Sequence, residues 1–215
     1  MSAMLASRVG PSGRVDTVEP DAQKAAWLTR RCANVHRVAL SDEPGEATFF
    51  VNVKRRGFSG LRRHGAETAG ADGVLEQRVP VETLDRLHPA DAPLRLIKID
   101  VEGAELAALR GGAETIRRCR PTIVFECTRS GMDAFGYDSD AMFAFFRDEL
   151  DYEIFLLEDH LANLDTPGAA GTSRPAMTQA QFADAHVFPW RAYNYVGVPS
   201  AADASIRLVT TDVAA

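Results

Sequence analysis

Strands and helices alternate along this 215-residue sequence, which predicts an α/β protein with a mainly parallel sheet. The clearest evidence is a strand–helix–strand unit, with strands at residues 94–100 and 121–127 and a helix at residues 104–117 between them. The second strand is nearly all apolar between its ends, as expected for a strand covered on both faces. A right-handed crossover should make the two strands parallel.

The first elements follow the same alternation. Residues 14–19 are short, β-prone and predicted to form a strand. Pro20 and Asp21 suit the first turn of a helix, which is predicted to run to about Arg31. Residues 35–40 are the second strand candidate.

Two β-rich segments, residues 47–53 and 77–84, predict an antiparallel pair inserted at about residues 46–84. Pro80 suits an edge position, because proline cannot donate a hydrogen bond to a ladder. The connecting loop carries a basic cluster, which either binds a phosphate or acidic substrate or forms a solvated surface: Lys54, Arg55, Arg56, Arg62, Arg63 and His64.

In the last part of the chain, residues 138–157 predict an amphipathic helix followed by a strand. Residues 158–188 are rich in Pro, Gly, Thr and Ala and are predicted to form a long loop with one short helix at residues 178–185. Residues 192–198 are the last strand, and residues 200–215 are expected to be a loosely held tail.

Composition and motifs exclude several classes of protein. The net charge is −6 and the pI 5.4, so nucleic acid is a poor electrostatic partner. No apolar run approaches a membrane span, and no membrane partner is expected. The three cysteines form no Cys-x-x-Cys pair and indicate reduced thiols in a cytoplasmic protein. The histidines lack metal-ligand spacing, and no P-loop, NAD(P)-binding or α/β-hydrolase motif occurs, so no metal is expected.

The carboxyl ends of the strands are where a parallel sheet binds ligands. The candidates there are Glu19, Ser41 with Asp42, the run from Asp100 through Glu102 to Gly103, and Glu126. An alternative to a role in ligand binding applies equally to three acids: each would only complement the dipole of the following helix. These are Glu19, Glu102 and Glu105. Lys98 shares a strand face with Asp100 and must pair, either as a structural ion pair or within the site.

Several of these residues resemble the signature of the FkbM-type methyltransferases. The runs that carry the resemblance are Leu96-Ile-Lys-Ile-Asp-Val-Glu-Gly-Ala-Glu-Leu106, Leu109-Arg-Gly-Gly112 and Arg120-Pro-Thr-Ile-Val-Phe-Glu126. Three further segments are similar to the family's second strand, to its segment before the signature and to its last strand: Gly13–Pro20, Val79–Asp85 and Asn194–Pro199. The resemblance implies a methyltransferase domain at residues 1–199, with a Rossmann-like class I fold, an antiparallel last strand and S-adenosyl-L-methionine as cofactor.

The resemblance also implies which residues bind the cofactor. Glu19, followed by Pro20, would hold the ribose hydroxyls of S-adenosyl-L-methionine. The stretch from Ala39 through Ser41 to Asp42 would lie near the adenine.

On the acceptor side, the resemblance implies that Asp100 faces the methionine end of the cofactor and the acceptor hydroxyl of a sugar or secondary metabolite. Asp100 is the candidate base, and the alternative is that it only orients the cofactor's amino group. Glu102 and Lys98 complete the candidate catalytic group, and Glu126 would line the acceptor side.

One departure from the family concerns its first strand and an Asp-x-Gly-x-x-x-Gly type loop, which should precede the helix that ends near Val9. The sequence begins within that helix, so we expect an N-terminally truncated domain and little methyl transfer by residues 1–215 alone. Two alternatives follow: a truncated, non-catalytic paralogue, and a binding module that recognises an anionic glycan through the basic cluster. Cofactor binding discriminates between them and the enzyme.

Overall fold

A computed structural model describes five parts of the chain: residues 2–10, 12–63, 73–165, 174–187 and 194–200. His64 of the basic cluster and residues 201–215 of the predicted tail lie outside the described residues. The strands are β1 (Asp16–Val18), β2 (Asn34–His36), β3 (Ala39–Leu40), β4 (Gly45–Asn52), β5 (Val74–Glu82), β6 (Leu96–Ile99), β7 (Thr122–Glu126), β8 (Tyr152–Leu156) and β9 (Asn194–Pro199).

The helices are mostly short: α1 (Ser2–Arg8), α2 (Ala22–Leu28), α3 (Leu84–Leu87), α4 (Glu105–Arg110), α5 (Ala113–Cys119), α6 (Arg129–Phe135), α7 (Ser139–Ala144), α8 (Leu157–Asp165) and α9 (Gln179–Ala185). Arg56–Phe58 form a 3-10 turn, and Phe145–Glu149 extend α7 as a π-helical turn. Within the described residues, no helix has the length and apolar character needed to cross a membrane.

The α/β class is confirmed, but the described strands form three sheets instead of the single, mainly parallel sheet expected. One sheet is the parallel pair β1–β2, the second has the order β3–β5–β4, and the third has the order β6–β7–β9–β8. The second and third sheets mix parallel and antiparallel pairs. The segment expected to be one strand at residues 35–40 divides, because β2 pairs with β1 whereas β3 pairs with β5.

The strands β1 and β6 are edge strands of two different sheets, and no ladder within the described residues joins them. These are the strands that precede the candidate acids Glu19 and Asp100. The two acids therefore reach the site from separate sheets in the described part of the chain.

The four-stranded sheet holds the main core. Strand β9 runs antiparallel to both β7 and β8, as expected for the last strand. The ring of Phe125 on β7 stacks on Phe146 at 4.8 Å and on Tyr195 at 5.5 Å between centroids. Phe182 of α9 packs on Tyr195 at 4.9 Å, and all four rings are fully buried. This aromatic layer gives the carboxyl ends of β6 and β7 a rigid support.

The inserted pair β4–β5 is antiparallel over its whole length, with its own small core around Phe49 and Val79. Pro80 was expected on an edge strand, but β5 is the central strand of its sheet. The proline is tolerated there because β3 pairs only with Val81 and Glu82, so Pro80 has no partner on that side.

Two helical features differ from the sequence-based expectation. Helix α8 occupies the start of the segment predicted as a long loop, where Leu157, Leu161 and Leu164 recur at helical spacing. The helix predicted at residues 104–117 is divided into α4 and α5 at Gly111 and Gly112.

The division between α4 and α5 has a steric cause. Gly111 has a helical φ of −66°, but a Cβ there would overlap the carbonyl oxygen of Ser41. The side chain of Asp85 then accepts the N–H groups of Glu114 and Thr115 at 3.2 and 2.7 Å, which caps the start of α5. Gly111 therefore lets the turn at Ser41 pack against the end of α4, and Asp85 fixes the start of α5.

We predict that Gly111→Ala lowers the free energy of unfolding by about 1–3 kcal/mol, the usual cost of an overpacked contact. Helix propensity alone would favour alanine at this position, so only the contact with Ser41 opposes it. The control is Gly45→Ala at the start of β4, where a Cβ meets nothing within 4 Å. Urea unfolding of both variants checks the prediction, and equal stabilities would contradict it.

Candidate functional site

The loop after β6, residues 100–104, is called the signature loop below, and it has an unusual backbone. Glu102 has a φ of 56° and Gly103 a φ of 102°, both in the left-handed region. A Cβ on Gly103 would lie 2.6 Å from the carbonyl oxygen of Gly131 in α6, so the two backbones touch. Left-handed backbone at a glutamate is the kind of strain that proteins keep at functional sites.

The side chain of Glu105 holds this loop closed. Its Oε1 accepts the N–H groups of Val101 and Gly103 at 2.9 and 3.2 Å, and the residue is only 3% exposed. Burial raises the pKa of Glu105, and the hydrogen bonds from the backbone oppose that effect. Glu105 therefore stabilises the backbone of the signature loop as well as standing at a helix start. The sequence pattern did not predict this role.

Three more carboxylates gather at the carboxyl ends of β6 and β7, namely Asp100, Glu102 and Glu126. Burial, together with the negative charges of Asp100, Glu126 and Glu105, raises the pKa of Glu102 from its ordinary value of 4.5 to about 8. Burial and Asp100 also raise the pKa of Glu126, and Lys98 acts in the opposite direction. These three acids, called the acid cluster below, interact electrostatically as one group.

Lys98 pairs with Asp100, with 3.4 Å between Nζ and Oδ2. Its ammonium also donates a hydrogen bond to the carbonyl oxygen of Ile99 at 3.1 Å. The Lys98 side chain is 18% exposed and that of Asp100 is 46% exposed, so the carboxylate is the member of the pair that solvent or a ligand can reach.

Glu19 lies directly after β1, and its Oε1 accepts the N–H of Asp21 at 2.9 Å. Asp21, and not Pro20, caps α2, by accepting the N–H groups of Gln23 and Lys24. Burial raises the pKa of Glu19. The carboxylate borders an open groove of about 460 Å³, which is lined by Glu19, Gln23, Lys24, Trp27, Leu28 and Arg30.

Lys24 connects the two sides of the site, although it was not among the sequence candidates. Its positive charge lowers the pKa of both Glu19 and Glu102, against the larger effect of burial on each. The carboxyl end of β1 and the signature loop therefore face a common cation. No local pattern marks this lysine, because the two acids that it influences lie in separate parts of the sequence.

The turn after β3 contacts the end of α4. Its Ser41 hydroxyl donates to Asp42 Oδ1 at 2.9 Å, and the backbone of Ser41 packs against Gly111. Ala39 is buried in the core of the inserted sheet. Among the described residues, no hydrogen bond or ion pair joins this turn to Glu19 or Asp100.

Gly60 of the insert lies against the signature loop, a contact that no sequence motif indicated. A Cβ at Gly60 would be 3.2 Å from the Cβ of Glu102. The loop between β4 and β5 therefore lies next to the acid cluster.

A cluster of strand-end acids in an α/β fold, one of them with a pKa of about 8, suits the binding of a cationic group. Residues 2–154 match the family described as the methyltransferase FkbM domain. Because this match spans well over half of the chain, the chain belongs to the FkbM methyltransferase family.

Among solved structures, the chain is similar to the crystal structure of Methyltransferase FkbM from Methylobacillus flagellatus KT, with 19% identity and a TM-score of 0.45. That similarity covers 72% of this chain and 37% of the other, so the chain spans little more than a third of its length. No curated protein matches the chain.

The raised pKa of Glu102 leads to a prediction about stability. Between pH 4.5 and about 8 the unfolded chain has lost this proton while the folded chain keeps it, so the contribution of Glu102 to stability falls as the pH rises through that range. Glu102→Gln removes this penalty. Its stability relative to wild type should therefore rise between pH 4.5 and pH 8, by about 1–2 kcal/mol after allowance for solvent screening.

Urea unfolding at pH 5 and at pH 8.5, just inside the acid end and just outside the alkaline end of this range, gives the difference. Glu114→Gln on the exposed surface of α5 is the matched control. A difference between Glu102→Gln and wild type that stays constant with pH would contradict the assignment.

Proposed function

We propose that the protein transfers a methyl group from S-adenosyl-L-methionine to a hydroxyl of a small-molecule or glycan acceptor. The observation that carries the proposal is the acid cluster at the carboxyl ends of β6 and β7, together with Lys24, whose charge lowers the pKa of both Glu102 and Glu19. Family membership supports a methyltransferase, and the acids supply the chemistry that O-methylation requires.

The chain's residues fit this cofactor chemically. The sulfonium and ammonium groups of the cofactor are cationic, which suits Asp100 and its neighbours. Glu19 uses Oε1 for the N–H of Asp21, and Oε2 has no hydrogen-bond partner within the described residues, so it is available to a ribose hydroxyl beside the groove. In this proposal Ser41 and Asp42 bind toward the adenine, with Ala39 and Pro20 supporting their turns.

The ion pair of Asp100 and the raised pKa of Glu102 suggest how the two residues act on the acceptor hydroxyl. The cofactor supplies an electrophilic methyl group when it is bound. Asp100, held by Lys98, accepts the proton of the acceptor hydroxyl as its oxygen aligns with that methyl group. Glu102, with a pKa of about 8, stays protonated at neutral pH and donates a hydrogen bond that positions the acceptor oxygen. Glu126 lines the acceptor side.

For cofactor binding, we predict that Glu19→Ala weakens the affinity for S-adenosyl-L-methionine by about tenfold or more, the effect of losing a charge-assisted hydrogen bond. Calorimetry measures the affinity, and Glu114→Gln on α5 should leave it unchanged. The measurement uses residues 1–215 and a version extended by a strand and an Asp-x-Gly-x-x-x-Gly loop. If neither folded form binds the cofactor or its demethylated product, the methyltransferase proposal is wrong, and the non-catalytic paralogue and the anionic-glycan binding module are the alternatives left.

For catalysis, we predict that Asp100→Asn in the cofactor-binding form lowers kcat by about 100-fold or more, as expected when a general base is lost. Glu102→Gln keeps a donor proton at every pH. The decline in wild-type kcat that we expect above about pH 8 should therefore disappear in this variant. Turnover of Asp100→Asn within about threefold of wild type would show that Asp100 is not the base.

A further inference from the structure

The loop at residues 53–63, called the insert loop below, lies against the signature loop at Gly60 and against α6 at Arg62. Phe50 and Gly60 form a β-bridge with N–H···O distances of 2.8 and 3.1 Å, and this bridge places Gly60 against Glu102. The guanidinium of Arg62 lies 5.8 Å above the ring of Phe135 in α6, the helix that packs on the signature loop. The insert loop thus borders the acid cluster.

The insert loop is also ordered by its own polar side chains. Asn52 Oδ1 accepts the N–H groups of Lys54 and Arg55 at 3.0 and 2.8 Å. The N–H of Asn52 donates to the hydroxyl of Ser59 at 3.1 Å, and Ser59 is buried. These bonds give the backbone that carries the cations a defined shape.

Three cations of the insert loop have no acid partner within 4.0 Å in the described part of the chain: Lys54, Arg55 and Arg62. Neighbouring arginines of the same insert behave differently. Arg63 pairs with Glu76 at 2.9 Å and Arg78 with Glu46 at 3.0 Å. The side chain of Arg56 lies outside the described residues. Within the part of the chain that the structure describes, the insert loop therefore presents positive charge without an acid partner, although the net charge of the chain is −6.

We propose that the insert loop binds an oxyanion, the phosphate or carboxylate group of an anionic acceptor, with Arg62 as its main contact. This inference rests on the proposed function. The acid cluster repels an anion, whereas the loop next to it attracts one, so the two charges orient such an acceptor. Its hydroxyl points to Asp100 and its anionic group to Arg62. The acceptors favoured are then sugar phosphates or uronic acids over neutral sugars.

Calorimetry at low ionic strength tests the binding with three probes: inorganic phosphate, glucuronate and glucose. Phosphate or glucuronate should bind to residues 1–215 and glucose should not, and the stronger anion identifies the chemical group. Arg62→Gln should weaken anion binding by about tenfold or more, and Arg62→Lys should restore part of it. The control Arg95→Gln removes an exposed arginine before the start of β6, at the opposite end of that strand from Asp100.

Two results would overturn the inference: no binding of either anion, or equal weakening by Arg62→Gln and Arg95→Gln. Its failure is distinguishable from failure of the proposed function, because cofactor affinity is measured separately in the extended form and does not depend on Arg62. Cofactor binding without anion binding refutes only the insert-loop site. Anion binding without cofactor binding, in both forms of the chain, supports the insert-loop site while refuting the methyltransferase.

Discussion

The candidate site depends on one buried carboxylate. Glu105 accepts the N–H groups of Val101 and Gly103, which the left-handed turn at Glu102 leaves without partners in a helix or strand. A buried N–H without a partner costs about 1–3 kcal/mol, so the turn would not persist without this acceptor. The close contact between Gly103 and Gly131 then locks the turn against α6. The placement of Asp100 and Glu102 follows from that turn.

This closed loop places the carboxyl groups of Glu105 and the acid cluster close together, so that their negative charges repel one another. Burial and mutual repulsion raise the pKa of Glu102, Glu105 and Glu126. Lys98 and Lys24 offset only part of the repulsion. Such a region favours a cationic ligand, because a positive charge relieves the repulsion that the fold has imposed. The insert loop at its border is cationic and favours an anionic ligand. The charge of the site therefore changes from negative at the acid cluster to positive at the insert loop.

The sequence predicted those parts of the molecule that depend on local pattern. The apolar strands β6 and β7 and the helix between them follow from their periodicity, and Asp100 meets Glu126 because neighbouring parallel strands end at one edge. The division of residues 35–40 into β2 and β3 was not predictable, because it depends on which distant strand each part pairs with. Glu105 and Glu102 are the same residue type near one helix start, and their different roles depend on burial, hydrogen bonds and backbone conformation in the folded chain.

The position of Ser41 shows how non-local contacts decide a site. The turn after β3 packs against Gly111 of the segment after β6, and the carbonyl oxygen of Gly111 accepts the N–H of Asp85 from the segment before β6. The Leu-Arg-Gly-Gly and Thr-Leu-Asp segments therefore have a structural explanation that is independent of catalysis. They join the inserted sheet to the main sheet, and through that junction the insert reaches Glu102. The segments around β6 thus include one group of residues that forms the acid cluster and another that fixes the insert beside it.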